Sequence, residues 1–145
     1  MAENQIKVLF VCVHNAARSQ MAEAFLNQIG GKNFMVESAG LEPTSLNKNV
    51  VEVMNEIGID ISNNVTKGVF NLFKQGKEYD YVITVCDKPS AEKCPLFPGK
   101  AIRFHWDFVD PSNFTGSQSE VFDKTRNLRD QIKIRVKEFI NVIGS

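Results

Sequence analysis

A cysteine, five intervening residues, an arginine and a serine form the loop Cys12-Val13-His14-Asn15-Ala16-Ala17-Arg18-Ser19, between a β-rich run at residues 6–11 and helix formers from residue 19 onward. A loop of this length can turn its backbone N–H groups inward and form a concave nest for an anion. The helix that follows adds its unsatisfied N-terminal donors and the positive end of its dipole. The backbone of residues 13–18 is therefore predicted to bind an oxyanion.

The side chains of the same loop supply reactive groups. Arg18 can hold two oxygens with its planar fork, and Cys12, at the foot of the nest, is expected to be a thiolate nucleophile. Ser19 can donate its hydroxyl hydrogen to the Cys12 sulfur, and Asn15 tolerates the left-handed backbone angles of a tight turn. The side chain of His14 is expected to point outward. The loop thus brings a nucleophile in line with a bound tetrahedral anion, as phosphoryl-like transfer requires.

An oxygen leaves poorly unless it is protonated, so the chemistry also needs a general acid. Asp110 is the candidate, because Pro111 restricts the backbone of the residue before it and holds a loop carboxylate in extended geometry. Taken alone, Asp-Pro is also a common turn, and Cys12 alone could be an inert thiol at a strand end. The occurrence of the Cys12 loop and of Asp110-Pro111 in one chain favours a nucleophile and a general acid over both alternatives.

The elements that must position these residues alternate between strands and helices. Strands are predicted at residues 6–11, 34–38, 79–85 and 101–105, and helices at residues 19–29, 47–57 and 117–142. The alternation predicts an α/β fold, a single domain over residues 1–145 with a parallel sheet of about four strands covered on both faces. Cys12 and Cys86 follow the first and third strands, so both sulfurs are expected at the same rim of the sheet.

The composition of the chain disfavours several classes of protein function. Lys plus Arg equals Asp plus Glu at 17 each, which gives no indication of a nucleic-acid or membrane partner. The N-terminus lacks the pattern of a signal peptide. The three cysteines are an odd number and indicate a reducing cytoplasm rather than a disulfide framework. Three dispersed cysteines and two histidines match no compact zinc-ligand spacing.

The sequence resembles the low-molecular-weight tyrosine phosphatase fold and, within it, the thioredoxin-coupled arsenate reductases. The resemblance covers nearly the whole chain. It rests on the loop at residues 12–19 and on Ser19-Gln20-Met21-Ala22-Glu23, Glu37-Ser38-Ala39-Gly40, Gly58-Ile59-Asp60-Ile61-Ser62, Val85-Cys86, His105-Trp106 and Asp110-Pro111. It implies a three-layer sandwich around the parallel sheet.

The resemblance to the reductases also implies roles for the cysteines. Arsenate occupies the phosphate position, and Cys12 forms an adduct with it. Cys86 attacks Cys12, which releases arsenite and leaves a disulfide, and Cys94 then attacks Cys86 and carries the disulfide to thioredoxin. The polar segment at residues 87–93, where Pro89 can begin a short helix, is expected to have the low local stability that such movement needs.

Other functions remain open at this stage. A tyrosine phosphatase would use Cys12, Arg18 and Asp110, but only Phe114 follows Asp-Pro as an aromatic wall, and weak phosphatase activity can accompany arsenate reduction. The third hypothesis is a non-catalytic redox switch or oxyanion-binding module. Some members of the reductase family hold a potassium ion near the positions of Asn15, Glu23 and Ser38, and no other cofactor is expected.

Overall fold

A computed structural model describes residues 5–144 of the chain. Its strands are β1 (Ile6–Cys12), β2 (Phe34–Gly40), β3 (Tyr81–Thr84) and β4 (Ile102–His105), and its α-helices are α1 (Arg18–Phe25), α2 (Lys48–Asn55), α3 (Val69–Lys74), α4 (Lys88–Ala91) and α5 (Gln118–Phe139). The strands are parallel in the order β2-β1-β3-β4. The predicted parallel sheet is confirmed.

Strand β1 lies inside the sheet and divides the core into two clusters, because successive side chains of a strand point to opposite faces. Val8, Phe10 and Cys12 pack with apolar residues of α1, α2 and α5. On the other face, Leu9 and Val11 pack with residues of α3 and with the irregular segment at residues 94–97. Helices therefore cover both faces of the sheet, as in the expected sandwich.

Several bounds differ from the sequence predictions: β2 extends to Gly40, and the α-helical part of α5 ends at Phe139. Strand β3 is shorter than residues 79–85 and ends at Thr84, so Cys86 lies two residues beyond it. The α-helical part of α1 ends at Phe25 and continues as a π-helical turn, Leu26–Gly30. Helix α3 was not predicted, because its six residues are too few to establish a helical period.

Helix α5 is the longest element and begins with a capping box. The Ser117 side chain accepts a hydrogen bond from the backbone N–H of Glu120, and the Glu120 carboxylate accepts one from the N–H of Ser117. Its buried residues include Leu128, Ile132 and Val136 on the face toward the sheet. No helix in residues 5–144 is both long and apolar enough to cross a membrane.

Replacing Ser117 by Ala should lower the free energy of unfolding by about 1 kcal/mol, because the first turn of α5 loses its side-chain acceptor. Urea denaturation of the two proteins measures the difference. The control is Ser119→Ala, which changes an exposed serine inside the same helix. Equal loss in both variants would show that the cap contributes nothing.

Candidate active site

The loop between β1 and α1 has its carbonyl groups turned away from the cleft it encloses. Four of them accept hydrogen bonds from the neighbouring segment at residues 41–47: Leu41 N–H to Cys12 O (3.0 Å), Glu42 to Val13 (2.7 Å), Thr44 to His14 (3.1 Å) and Asn47 to Ala16 (3.0 Å). Because the N–H and C=O of a trans peptide point in opposite directions, this pairing turns the loop's N–H groups toward the cleft. The predicted nest thus depends on residues far along the chain.

Gly40, the last residue of β2, allows this close approach. A Cβ at this position would lie 2.7 Å from the backbone nitrogen of Asn15 and 2.8 Å from the carbonyl oxygen of Val13. Both are backbone atoms, so they cannot move aside as a flexible side chain could. The strand and the loop therefore fit together only where residue 40 has no side chain.

Two donors are directed at the sulfur of Cys12, which is buried at the end of β1. The backbone N–H of Asn15 lies 3.2 Å from Sγ, and the Ser19 hydroxyl lies 2.9 Å from it. Asn15 Nδ2 donates to Ser19 Oγ at 2.8 Å, which leaves the Ser19 hydroxyl hydrogen available for the sulfur. The predicted contact between Ser19 and Cys12 is present, and both donors favour negative charge on the sulfur.

Asn15 is the centre of a buried polar network. Its backbone has φ of 54°, the left-handed conformation that the sequence predicted for it. Its amide donates to Ser19 and to Ser38 Oγ (2.9 Å), and its Oδ1 accepts from Gln20 Nε2 (3.2 Å) and from the backbone N–H of Lys67 (2.9 Å). One side chain therefore links the loop, α1, β2 and the segment before α3.

Arg18, at the start of α1, is buried and aimed by two contacts from the segment after β4. Its Nη1 donates to the backbone carbonyl of Phe108 at 3.1 Å, and its Nη2 lies 3.6 Å from the Asp110 carboxylate. The same carboxylate accepts from the Ser112 N–H and hydroxyl, at 2.9 and 2.8 Å. Arg18 and Asp110, predicted separately from the sequence, thus face one another.

The groups described above surround a cleft of about 140 Å³, lined by Cys12, His14, Ala16, Ala17, Arg18, Thr44, Ser45, Asn47, Asp110 and Ser112. This volume accommodates about five water-sized groups, which suits a tetrahedral anion. His14, whose side chain is expected to point outward, is half-buried, and its Nδ1 lies 3.0 Å from the carbonyl oxygen of Glu42. No phenylalanine, tyrosine or tryptophan of the described residues lines the cleft.

The other two cysteines are buried on different sides of the sheet. Cys86 packs in the same cluster as Cys12, whereas Cys94 belongs to the cluster on the opposite face. Burial raises the pKa of the Cys86 thiol to about 12, with a smaller opposing effect from the charge of Arg18. Burial also raises the pKa of Cys94, and Arg103 opposes that shift. All three cysteines are free thiols.

Glu23 and Ser38, two of the three residues expected near a potassium ion, are in direct contact. The Ser38 hydroxyl donates to the Glu23 carboxylate at 2.5 Å. Desolvation raises the pKa of Glu23, while the Ser38 hydrogen bond and the charge of Lys67 act in the opposite direction. Asn15 lies beside them: its amide nitrogen donates to Ser38, and its side-chain oxygen accepts two hydrogen bonds.

Sequence reasoning missed the residues that support the loop from outside. Gln20 bridges Asn15 to Asn64 and to the carbonyl of Val65, and the segment at residues 41–47 holds the loop carbonyls. Backbone pairing leaves no side-chain pattern that could have revealed it. Gly40 ends the motif Glu37-Ser38-Ala39-Gly40, but the sequence does not reveal its contact with the loop, because that contact depends on the fold.

The four-stranded parallel sheet and the loop that carries Cys12 and Arg18 place the chain in the class of phosphatase-like proteins. The chain belongs to the family described as low molecular weight phosphotyrosine protein phosphatase, whose model matches residues 7–144.

Relatives within the family are more specific. The arsenate reductase of Bacillus subtilis is 40% identical over 137 residues, which cover 94% of this chain and 96% of that protein. A solved arsenate reductase in the phosphate binding state is 34% identical with a TM-score of 0.73, covering 96% of this chain and 99% of that one. The thioredoxin-dependent arsenate reductase of Corynebacterium glutamicum is 30% identical with a TM-score of 0.76, covering 99% of this chain and 64% of that one.

Replacing Gly40 by Ala should weaken oxyanion binding by about tenfold or more, because displaced N–H donors lose charge-assisted hydrogen bonds. Calorimetric titration with phosphate measures the affinity. Gly68→Ala is the matched control, since the nearest atom to a Cβ there is a side-chain nitrogen at 3.4 Å. Unchanged phosphate affinity in a folded Gly40→Ala variant would contradict the close fit between strand and loop.

Proposed function

We propose that this protein reduces arsenate to arsenite, with Cys12 as the nucleophile and Cys86 and Cys94 as the thiols that take up the oxidation. The observation that carries the proposal is a second buried thiol, Cys86, in the same apolar cluster as Cys12. A phosphatase needs only water to release its cysteine adduct, whereas a reductase needs a second thiol. The arsenate reductases among the relatives support the same conclusion.

The first step forms a bond from the Cys12 sulfur to arsenic. The N–H groups of residues 13–18 and the Arg18 guanidinium bind the oxygens of arsenate, which develop charge during the attack. Asp110 lies within ion-pair distance of Arg18 and delivers the proton with which one oxygen leaves as water. The Ser19 hydroxyl orients the sulfur toward the cleft.

The second step reduces arsenic. The Cys86 thiolate attacks Cys12 Sγ, a sulfur–sulfur bond forms, and the electron pair of the sulfur–arsenic bond passes to arsenic, which leaves as arsenite. Because burial raises the pKa of Cys86 in the resting protein, the thiol stays protonated until it moves toward Arg18, whose charge favours the thiolate.

The third step moves the disulfide away from the cleft. Cys94 attacks Cys86, the new disulfide forms between them, and Cys12 leaves as thiolate. Since Cys94 lies in the cluster on the other face of the sheet, α4 has to open for the two sulfurs to meet. Four residues capped by Asp87 form a helix that opens at low cost.

Thioredoxin is the proposed reductant for the final disulfide, because the arsenate reductase of Corynebacterium glutamicum is thioredoxin-dependent. A cytoplasmic location is proposed with it, because three free thiols require a reducing compartment. Phosphate binds the same nest, so slow hydrolysis of small phosphate esters accompanies the main activity. A phosphotyrosine ring would meet Thr44, Ser45 and Ser112 where a tyrosine phosphatase needs an aromatic wall.

Cysteine variants distinguish reductase from phosphatase. Cys86→Ser and Cys94→Ser should each reduce thioredoxin-driven arsenite production to background, because each removes one exchange partner. Hydrolysis of a small aryl phosphate should continue in Cys94→Ser and stop only in Cys12→Ser. Arsenite is measured with a thioredoxin, thioredoxin reductase and NADPH system.

The matched control for these variants is Ser90→Cys, which adds a thiol on α4 without removing one. Its arsenite production should not exceed that of the unaltered chain. If Cys94→Ser retained full thioredoxin-driven turnover, the relay would be wrong, and full turnover in both single variants would exclude both thiols from the reaction. Absence of arsenite production by the unaltered chain would refute arsenate reduction itself.

A potassium ion is proposed beside the loop, held by the carboxylate of Glu23 and the hydroxyl oxygen of Ser38. The donor set fits a weakly bound monovalent cation only in part, because the side-chain oxygen of Asn15 already accepts two hydrogen bonds. Such an ion would supply positive charge next to a buried carboxylate. Glu23 would then remain ionised and keep the Ser38 hydroxyl, and through it Asn15, in place.

Potassium should raise the melting temperature at neutral pH compared with choline chloride at equal ionic strength. The raised pKa means that ionised Glu23 costs folding free energy as the pH rises above the ordinary carboxyl range, and a bound cation offsets that cost. Glu23→Gln should abolish the potassium effect, and the exposed Glu52→Gln should retain it. A potassium effect of equal size in Glu23→Gln would exclude this site.

A further inference from the structure

Gln20, on α1, is a buried polar side chain to which none of the proposed steps assigns a role. Only 1% of its surface is exposed. Its Nε2 donates to Asn15 Oδ1 and to the carbonyl oxygen of Val65, both at 3.2 Å, and its Oε1 accepts from Asn64 Nδ2 at 3.0 Å. An apolar side chain of similar length would fill the same space without needing any hydrogen-bond partner. What glutamine adds at this position is therefore the direction of its hydrogen bonds.

Two backbone groups determine the orientation of the Gln20 and Asn15 amides. The Val65 carbonyl can only accept a hydrogen bond, so Gln20 directs its amide nitrogen toward it. The backbone N–H of Lys67 can only donate, so Asn15 directs Oδ1 toward it, at 2.9 Å. Gln20 Nε2 donates to the same oxygen. Asn15 Nδ2 therefore faces the other way, toward Ser19.

The segment that supplies these two backbone groups is held by the end of β2. The carbonyl of Lys67 accepts a hydrogen bond from the N–H of Gly40 at 2.8 Å, and Gly40 forms an isolated parallel bridge with Gly68. Gln20 thus connects the nucleophile loop to backbone that is itself fixed to the sheet.

The orientation of the Asn15 amide decides where the Ser19 hydroxyl directs its hydrogen. Nδ2 donates to Ser19 Oγ at 2.8 Å, so the single hydroxyl hydrogen remains for Cys12 Sγ, 2.9 Å away. With the amide reversed, Oδ1 would accept that hydrogen, and the sulfur would lose this donor. Since a hydrogen bond to the charged form favours that form, the orientation bears on how readily Cys12 becomes a thiolate.

We infer that Gln20 is a positioning residue for the nucleophile: it holds the Asn15 amide in the orientation that makes Ser19 donate to the Cys12 sulfur. The inference deepens the proposed function and rests on it for the effect on arsenate turnover. The effect on the sulfur itself follows from the hydrogen bonds alone.

The charged and titratable groups around the sulfur are the same with and without Gln20. They are Arg18, Asp110 and His14 around the cleft, Cys86 in the apolar cluster, and Glu23 and Lys67, whose charges interact beside Ser38. Glutamine and methionine are both neutral, so a change in the ionisation of Cys12 in Gln20→Met reports the hydrogen bonds and not an altered charge.

The first test titrates Cys12 in a chain carrying Cys86→Ser and Cys94→Ser, by the ultraviolet absorbance of the thiolate relative to the same chain with Cys12→Ser. Gln20→Met keeps the length of the side chain and removes both N–H donors, so it should move the midpoint upward by about one pH unit. Asn64→Ala is the matched control, because it removes the partner of Gln20 Oε1 and leaves both donors in place. An unchanged midpoint in Gln20→Met, or an equal shift in Asn64→Ala, would overturn the inference.

A second pair of variants tests the path from Gln20 to the sulfur. In a chain that also carries Ser19→Ala, Gln20→Met should add no further shift, because its effect passes through the Ser19 hydroxyl. A shift of the same size with and without that hydroxyl would contradict the path.

NMR of the unaltered chain tests the amide orientation without relying on a variant that folds. The side-chain amide protons of Asn15 should show Overhauser contacts to the β protons of Ser19 and Ser38. Contacts of these protons to the backbone amide proton of Lys67 in their place would overturn the inference.

The last experiment separates this inference from the proposed function. Gln20→Met should slow the release of the first arsenite by about tenfold at pH values below the midpoint, where the thiolate fraction falls tenfold for each pH unit. An unchanged rate there would refute the role of Gln20 in turnover. If the unaltered chain produced no arsenite, the proposed function would fail, and the titration, which needs no arsenate, would still decide whether Gln20 positions the nucleophile.

Discussion

The oxyanion nest depends on where its own carbonyl groups go. A chain that turns tightly enough to gather its N–H groups on one side must find hydrogen-bond donors for the carbonyl oxygens on the other, or leave these oxygens unpaired in a buried place. Here the backbone of residues 41–47 supplies those partners, and Gly40 lets β2 approach closely enough to present them. The anion-binding geometry is therefore a property of two segments that the parallel sheet brings side by side.

The second constraint is the rigidity of the oxyanion loop, which Asn15 provides. Its side chain reaches four partners, and one of them, Ser19, is the hydroxyl that contacts the nucleophile. A buried network in which every polar group has a partner fixes one arrangement, and no buried side-chain nitrogen or oxygen in residues 5–144 lacks a hydrogen bond. The same network extends through Ser38 to Glu23, so a charge on that carboxylate is coupled to the position of the Cys12 sulfur.

Local features of the chain were predictable, and distant ones were not. One short loop contains Cys12, Arg18 and Ser19, so their spacing is visible in the sequence. The β-rich run before the loop and the helix formers after it predict the strand and the helix that carry it. Asp110 could be found because proline restrains its backbone. The support from residues 41–47 could not be predicted, because hydrogen bonds between backbones carry no residue signature. The contact of the His14 ring with the carbonyl of Glu42 could not be predicted for a related reason, because Glu42 belongs to that segment.

The sequence also does not reveal on which face of the sheet each cysteine sulfur lies, and this placement matters for the proposed function. Alternation within β1 assigns Cys12 to one face, but the count is lost beyond β3, where α4 and irregular chain intervene before Cys94. The structure places Cys86 with the nucleophile and Cys94 behind the sheet. In the proposed relay, this separation keeps Cys94 away from Cys86 in the resting protein, and the two sulfurs would meet only when α4 gives up its few hydrogen bonds. A longer or better packed helix would make the resting protein more stable and the relay slower.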